Sequence, residues 1–277
     1  LCRERVHRGK ARAVIINSGN ANACTGESGK KDALAMARRT GEALGLDGDD
    51  QILVASTGII GRRLPMAKIQ SAIPAAVSSL DTQGGGTAAK AILTTDLSAK
   101  EAAVRATTPA GVFHVGGMAK GAGMIEPNMA TMLGFLTTDA EVGADLLQRA
   151  LVEAAGDTFN AITVDGESST NDTVFMLASG ASGVKIDNDC YAGFVAALQK
   201  VCGTLAREIV RGGEGATKLV TILVTGAKSH EEGSRAARAI ANSLLVKTAL
   251  HGGDPNWGRL IAVAGRAGGS FALRSAR

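Results

Sequence analysis

Short apolar runs alternate along this chain with longer stretches in which apolar positions return every third or fourth residue. Arg12-Ala13-Val14-Ile15-Ile16 and Ile52-Leu53-Val54-Ala55 are too short for ordinary helices and predict buried strands. Between them, residues 28–44 bring Leu34, Met36, Ala37 and Leu44 to one helical face and close on Gly45. Residues 65–80 repeat the helical pattern with Met66, Ile69, Ile73 and Val77, and Pro74 predicts a kink. Glycines 84–86 mark a loop, followed by a short helix. Strands are predicted at 102–105, 112–115, 132–136 and 219–224, with further apolar runs at 159–164 and 173–178. Helices are predicted at 146–155, 188–209 and 231–241, and residues 254–259 read as a turn opening another. The longest, 188–209, turns Phe194, Leu198, Val201, Leu205 and Ile209 inward. Strand runs alternating with amphipathic helices predict an α/β fold, with helices packed outside mixed sheets.

Composition narrows the picture. The chain has 277 residues, enough for one large or two ordinary domains. Apolar residues make up 45% but aromatics only 3%, so the core must be built from Ala, Val, Ile and Leu around many glycines. The net charge of +4 comes from dispersed Lys and Arg with acidic residues among them. No basic stripe interleaved with aromatics points to nucleic acid. No apolar run reaches the roughly 18 residues of a membrane span. Cys2, Cys24, Cys190 and Cys202 show no CxxC spacing and no metal pattern with the scattered histidines. Reduced thiols in a cytoplasmic protein are expected. The opening residues have no signal-peptide apolar region, and a start at Leu1 without a methionine reads as a fragment.

Candidate chemistry concentrates in Gly117-Met118-Ala119-Lys120-Gly121-Ala122-Gly123-Met124-Ile125-Glu126-Pro127-Asn128-Met129-Ala130-Thr131, which feeds the apolar run 132–136. Glycines and Pro127 supply turn geometry, and Thr131 stands where the loop enters a strand. A threonine hydroxyl becomes a competent nucleophile beside a base, and its own α-amine is one such base. That amine is free only if the chain is cut between Ala130 and Thr131. Pattern alone favours an uncut glycine-rich hairpin entering a core strand. The glycines do not predict a dinucleotide site, since no GxGxxG follows a strand with an acidic residue about 20 positions later. Asp165-Gly166-Glu167-Ser168-Ser169-Thr170-Asn171-Asp172 offers hard oxygen ligands, yet its spacing is not an EF-hand and a hydrogen-bonded structural loop is the better reading.

The block from Lys120 to Thr138 resembles the self-cleavage region of the ornithine acetyltransferase family, the bifunctional glutamate N-acetyltransferases of arginine biosynthesis. Further blocks resemble the same family in the same order: Asn17-Ser18-Gly19-Asn20-Ala21-Asn22, Ser56-Thr57-Gly58, Thr94-Thr95-Asp96, Ser169-Thr170-Asn171-Asp172-Thr173, Gly213-Glu214-Gly215-Ala216-Thr217-Lys218 and Asp254-Pro255-Asn256-Trp257-Gly258-Arg259. Ordered blocks over roughly residues 9–268 are far more specific than a lone motif. The resemblance implies stacked mixed β-sheets flanked by helices, in a self-cleaving N-terminal-nucleophile-like architecture. It divides the chain into a segment 1–130 ending at the cleavage site and a segment 131–277 beginning with the nucleophile.

By the same resemblance Thr131 is the nucleophile, Thr57 and Gly58 are oxyanion donors, and Thr94, Lys120, Thr131 and Glu214 contact substrate. The implied reaction moves acetyl from N2-acetylornithine to glutamate through an acetyl-threonine. It implies no metal and no cofactor, and leaves acetyl-CoA open as a second acetyl donor. The implied assembly is a heterotetramer of two segments of each kind in the cytoplasm. Residues Asp96-Leu97-Ser98-Ala99-Lys100 depart from the family's usual Thr-x-Pro-Lys after the aspartate, and residues 269–277 do not resemble its continuation. Family segments before Leu1 and after Gly268, including a returning Asn and Ser or Thr, have no counterpart here. Two rivals stand beside this reading: an aminopeptidase or amidohydrolase with a self-generated N-terminal nucleophile, and an inactive truncated remnant.

Overall fold

The computed structural model describes residues 1–126 and 132–268. In chain order the elements begin with α1 (Cys2–Val6), β1 (Ala13–Asn20), α2 (Gly26–Ala43), β2 (Ile52–Ile59), α3 (Met66–Ser78) and α4 (Gly85–Ala91). There follow β3 (Lys100–Thr108), β4 (Gly111–Lys120), β5 (Leu133–Thr138), β6 (Glu141–Val142), α5 (Ala144–Gly156), β7 (Thr173–Ala178) and β8 (Lys185–Ile186). The chain then turns helical, with α6 (Tyr191–Arg211), α7 (His230–Asn242), α8 (Leu244–Gly252) and α9 (Trp257–Arg266).

Two sheets carry the architecture. β1 and β2 run parallel, as a helical crossover through α2 requires. The larger sheet has the order β3-β4-β5-β7, antiparallel at its first two pairings and parallel at the third. Strand alternation divides the apolar side chains of this sheet between two layers. Leu133 and Phe135 of β5, with Met118 and Phe175, meet Val14, Ile16 and Ala55 from β1 and β2. Phe113, Val115 and Leu136, from the opposite face, pack under α5 and α6. α2 lies against β1 and β2, and α3 against α2. The result is two stacked sheets with helices outside each, the α/β arrangement of mixed sheets expected from the pattern.

α6 buries the face that its period predicts. Phe194, Leu198, Val201, Leu205 and Ile209 are all buried, and each fully buried side chain of this size contributes about 2 kcal/mol. The strands run further than their apolar runs. β1 and β2 do not stop at polar turns after Ile16 and Ala55 but continue in register through Ser18↔Thr57 and Gly19↔Gly58. Neighbouring backbones pair there whatever their side chains. Likewise 117–120 belongs to β4 rather than to a glycine-rich loop, pairing with 133–136 of β5, and a Cβ on Gly117 would lie 2.6 Å from Leu136 Cδ2 and 2.9 Å from the Phe135 carbonyl oxygen. Only glycine lets β4 and β5 close at that point.

The predicted strand 219–224 is not formed: among the described residues this segment has no ladder partner. Leu223 is 82% exposed, and the segment is held by Ile222 against Ile240, Val246 and Val263 and by Lys218 donating to the Leu250 carbonyl. β-propensity without a neighbouring edge cannot make a strand. The apolar run 159–164 gives only a 3-10 turn at Phe159–Ala161 and then irregular chain. α8, unpredicted, starts where Ser243 caps the Val246 amide and ends on left-handed Gly253. Among the described residues no helix is long and apolar enough to cross a membrane.

Candidate functional site

The site grows from the ends of strands in both sheets. β4 alternates Met118 and Lys120 toward β1 and β2, so the strand that supplies apolar filling ends by projecting a lysine into the same inter-sheet layer. On β2, Thr57 follows Ala55 by two residues and shares its face. Lys120 and Thr57 therefore meet at the rim of an apolar layer. Lys120 Nζ donates to Thr57 Oγ1 at 3.0 Å and to Thr94 Oγ1 at 2.9 Å. An ammonium can only donate, so both hydroxyls accept, and their own hydrogens turn elsewhere. Two hydroxyl donors and a cation around one point suit a carboxylate or a developing oxyanion.

Gly58 adjoins Thr57 in a conformation reserved for glycine, with φ +126°, and a Cβ there would lie 2.3 Å from the carbonyl carbon of Gly19. Glu214 is exposed, its amide donating to the Ala122 carbonyl at 2.7 Å. Its carboxylate lies against Gly123, where a Cβ would be 2.7 Å from Oε2. Burial lowers the Lys120 pKa and Lys100 adds to this, while Asp96, Asp172 and Glu214 pull it back up. Thr57, Gly58, Thr94, Lys120 and Glu214 are thus brought to one neighbourhood. Ala130 and Thr131 lie outside the described residues.

Several polar groups that the sequence placed in motifs, without a role of their own, take part in the site. Asp96 accepts from Lys100 Nζ at 2.7 Å and from the Gly121 amide at 2.7 Å, and its side chain has no exposed surface. Burial alone would raise its pKa, but these two bonds and the charges of Lys100 and Lys120 hold it below the usual carboxylate range. The Lys100–Asp96 bridge closes residues 96–100 as a loop despite the departure from Thr-x-Pro-Lys. Asp165 accepts from the amides of Met124 and Ile125 at 2.6 and 2.9 Å, so it ties down the glycine-rich chain as a structural carboxylate. Asn171 Nδ2 donates to Ser56 Oγ at 3.0 Å and the Thr173 amide to the Met132 carbonyl at 3.0 Å. The acidic loop is thereby fastened to both sheets beside Met132.

A family model described as the ArgJ family matches residues 1–276. The chain belongs to the ArgJ family. It is 50% identical to the arginine biosynthesis bifunctional protein ArgJ of Symbiobacterium thermophilum, over 98% of this chain and 68% of that protein. With the protein of the same name from Dehalococcoides mccartyi the identity is 51%, over 94% of this chain and 64% of the relative. With the glutamate N-acetyltransferase of Methanocaldococcus jannaschii it is 49%, over 98% and 68%. The chain therefore spans about two thirds of the length of these curated relatives. Among solved structures, the arginine biosynthesis bifunctional protein ArgJ of Bacillus halodurans aligns with a TM-score of 0.50 at 46% identity, covering 51% of this chain and 68% of that one.

One carboxylate in this ArgJ-family chain makes a stability prediction. Both oxygens of Asp172 are buried without a hydrogen-bond partner in satisfactory geometry among the described residues. Burial pushes its pKa up to about 7, while the nearby Met132 amide and the Lys120 charge pull weakly downward. An unfolded aspartate titrates at about 4. The folded state therefore binds this proton more tightly, and the stability Asp172 contributes is fully present below about pH 4 and lost as pH rises through about 7. Asp172→Asn, neutral at every pH, should gain on the parent between pH 4 and 8 by about 2 kcal/mol after solvent screening. Thermal denaturation of both proteins across that range measures it; parallel curves would count against the buried-carboxylate account.

Proposed function

We propose that this protein is a glutamate N-acetyltransferase that cuts itself between Ala130 and Thr131 and then carries acetyl on Thr131. In the uncut chain the Thr131 hydroxyl attacks the Ala130 carbonyl carbon. The C–N bond breaks, the nitrogen becomes the α-amine of Thr131, and water hydrolyses the resulting ester. In the cut protein that amine takes the hydroxyl proton as Thr131 attacks the acetyl carbonyl of N2-acetylornithine. A C–O bond forms, the amide C–N bond breaks, and the proton passes to the departing ornithine nitrogen. The glutamate amine then attacks the acetyl ester, its surplus proton returns to the Thr131 oxygen, and N-acetylglutamate leaves.

The observation that carries the reading is the Lys120 ammonium held by Thr57 and Thr94 at 3.0 and 2.9 Å in an ArgJ-family chain. Lys120 suits the α-carboxylate common to both substrates as a point charge. Thr57 and Gly58 suit the oxyanion of the tetrahedral intermediates, where one donor is typically worth roughly 100-fold or more in rate. Glu214, exposed at the edge, suits the cationic side chain of ornithine. Covalent storage of acetyl calls for no cofactor in this cycle, and acetyl-CoA is a candidate second donor. β5 lies between β4 and β7, so strands from both sides of the cut share one sheet and hold the pieces together. The same reading assembles two of each segment into a tetramer in the cytoplasm. Incubation with N2-acetylornithine and glutamate should yield N-acetylglutamate and ornithine in equal amounts. Free acetate in place of N-acetylglutamate would identify a hydrolase instead.

A further inference from the structure

Asp96 stands between two buried lysines, Lys100 and Lys120, and cannot neutralise both. Lys100, Asp96 and Lys120 bring two cations and one anion into a space where Lys100 and Asp96 are 1% and 0% exposed and Lys120 is 4% exposed. Asp96 divides its oxygens unequally. Oδ1 takes both short bonds, 2.7 Å from Lys100 Nζ and 2.7 Å from the Gly121 amide. Oδ2 is left with the Thr94 amide at 3.4 Å, and Lys120 Nζ stands 3.9 Å from it. That separation is an ion pair without a hydrogen bond. Lys120 has spent two of its three donors on Thr57 and Thr94, and the third is not taken by Asp96.

Strand register explains the division. Lys100 pairs with Ala119 and stands on the face of the sheet that holds Ala102 and Val104 under α6, whereas Lys120 stands on the face toward β1 and β2. The end of the Lys100 side chain lies against Gly212, just beyond α6, where a Cβ would be 3.5 Å from Cε. Asp96 sits at the sheet's end and is reached from one face by each lysine. We propose that Asp96 and Lys100 are positioning residues for Lys120: the Lys100 ammonium takes up the Asp96 charge, so that Lys120 stays in place with its own charge uncommitted for a substrate carboxylate. The inference rests on the reading of Lys120 as the carboxylate site. Neither residue touches substrate in it.

The charge logic gives a signature that a purely structural role would not. In Lys100→Met, Asp96 has only Lys120 left to neutralise it, so Lys120 is drawn into a closed pair and binds carboxylates less well. Removing both charges, in Asp96→Asn with Lys100→Met, frees Lys120 again, and the asparagine oxygen still accepts from Gly121. Calorimetric titration of the purified protein with glutamate should show about tenfold weaker binding for Lys100→Met. The double variant should return to within about threefold of the parent. Unchanged binding in Lys100→Met, or a double variant as weak as the single, would overturn the proposal.

Should Lys100→Met not fold, Asp96→Asn supplies the test. It leaves two ammonium groups facing each other, so Lys120 gives up its proton more readily. The pH above which glutamate binding is lost should fall by about one unit. An unmoved pH profile would count against the pair. Among the described residues the charged groups that bear on Lys120 are Asp96, Lys100, Asp172 and Glu214, and the last two are left intact in every variant. Lys120→Met in the same titration separates the two levels. Parental affinity there sinks the carboxylate-site reading itself, whereas lost affinity beside a flat Lys100 series sinks only the positioning role.

Discussion

Thr131→Ala is expected to give a folded chain that stays uncut and transfers no acetyl group. The substitution removes one hydroxyl and one methyl just before β5, which costs about 1–2 kcal/mol against a typical stability of 5–15 kcal/mol. Folding does not depend on it: β5 is held on both sides by β4 and β7, and Leu133, Phe135 and Leu136 are buried. Chemistry depends on it twice. The attacking oxygen is gone, and without the cut the α-amine that would serve as base is never released. Both losses fall on one residue, so the expected effect is complete rather than partial. Thr131→Ser keeps the oxygen but loses the β-methyl that restrains its rotamer, and should retain some cleavage. A denaturing gel and an ornithine-release assay decide the matter. Cleavage at Ala130 together with acetylated glutamate from Thr131→Ala would sink the nucleophile assignment.

Lys120→Met is expected to raise the KM for both N2-acetylornithine and glutamate by about 100-fold while the protein stays folded. Truncating one partner of a buried, hydrogen-bonded charge pair costs about 2–5 kcal/mol of binding, which sets the scale. Stability is spared for two reasons visible in the geometry. Thr57 and Thr94 only accept from Lys120, and their hydroxyls can rotate toward other partners. Asp96 keeps its bonds to Lys100 and Gly121 and so stays compensated, and Asp172, which loses the weak pull of Lys120, can take up a proton instead. Methionine matches the length of the stem, and the desolvation that lowers the Lys120 pKa is relieved. Loss of the shared cation should raise both KM values together, whereas a change confined to one substrate would mean that Lys120 reads something other than the common carboxylate. Initial rates at varied substrate, with a melting curve, supply both quantities.

Periodicity was a sound guide wherever one element supplies its own evidence. The inward face of α6 and the apolar runs of β1, β2, β5 and β7 are written in local spacing, because burial of one face imposes a fixed period. The blocks that resemble one family were legible for the same kind of reason, since each is a contiguous string. Strand ends were not legible: Ser18, Thr57 and Lys120 look like turn residues in one dimension but pair because a partner backbone lies alongside. The segment 219–224 failed in the opposite sense, having the residues of a strand and no edge to join among the described residues.

The sequence by itself determined the α/β class, the helix faces and which residue types could bear the chemistry. It could not say that Lys120 meets Thr57 across 63 positions and Thr94 across 26, nor that Asp96 stands between two lysines. Those distances follow from stacking one sheet on another, which brings strand ends together irrespective of their separation in the chain. The electrostatics follow in turn. A carboxylate such as Asp172 or a lysine such as Lys120 acquires its unusual proton affinity only when tertiary packing removes water from around it.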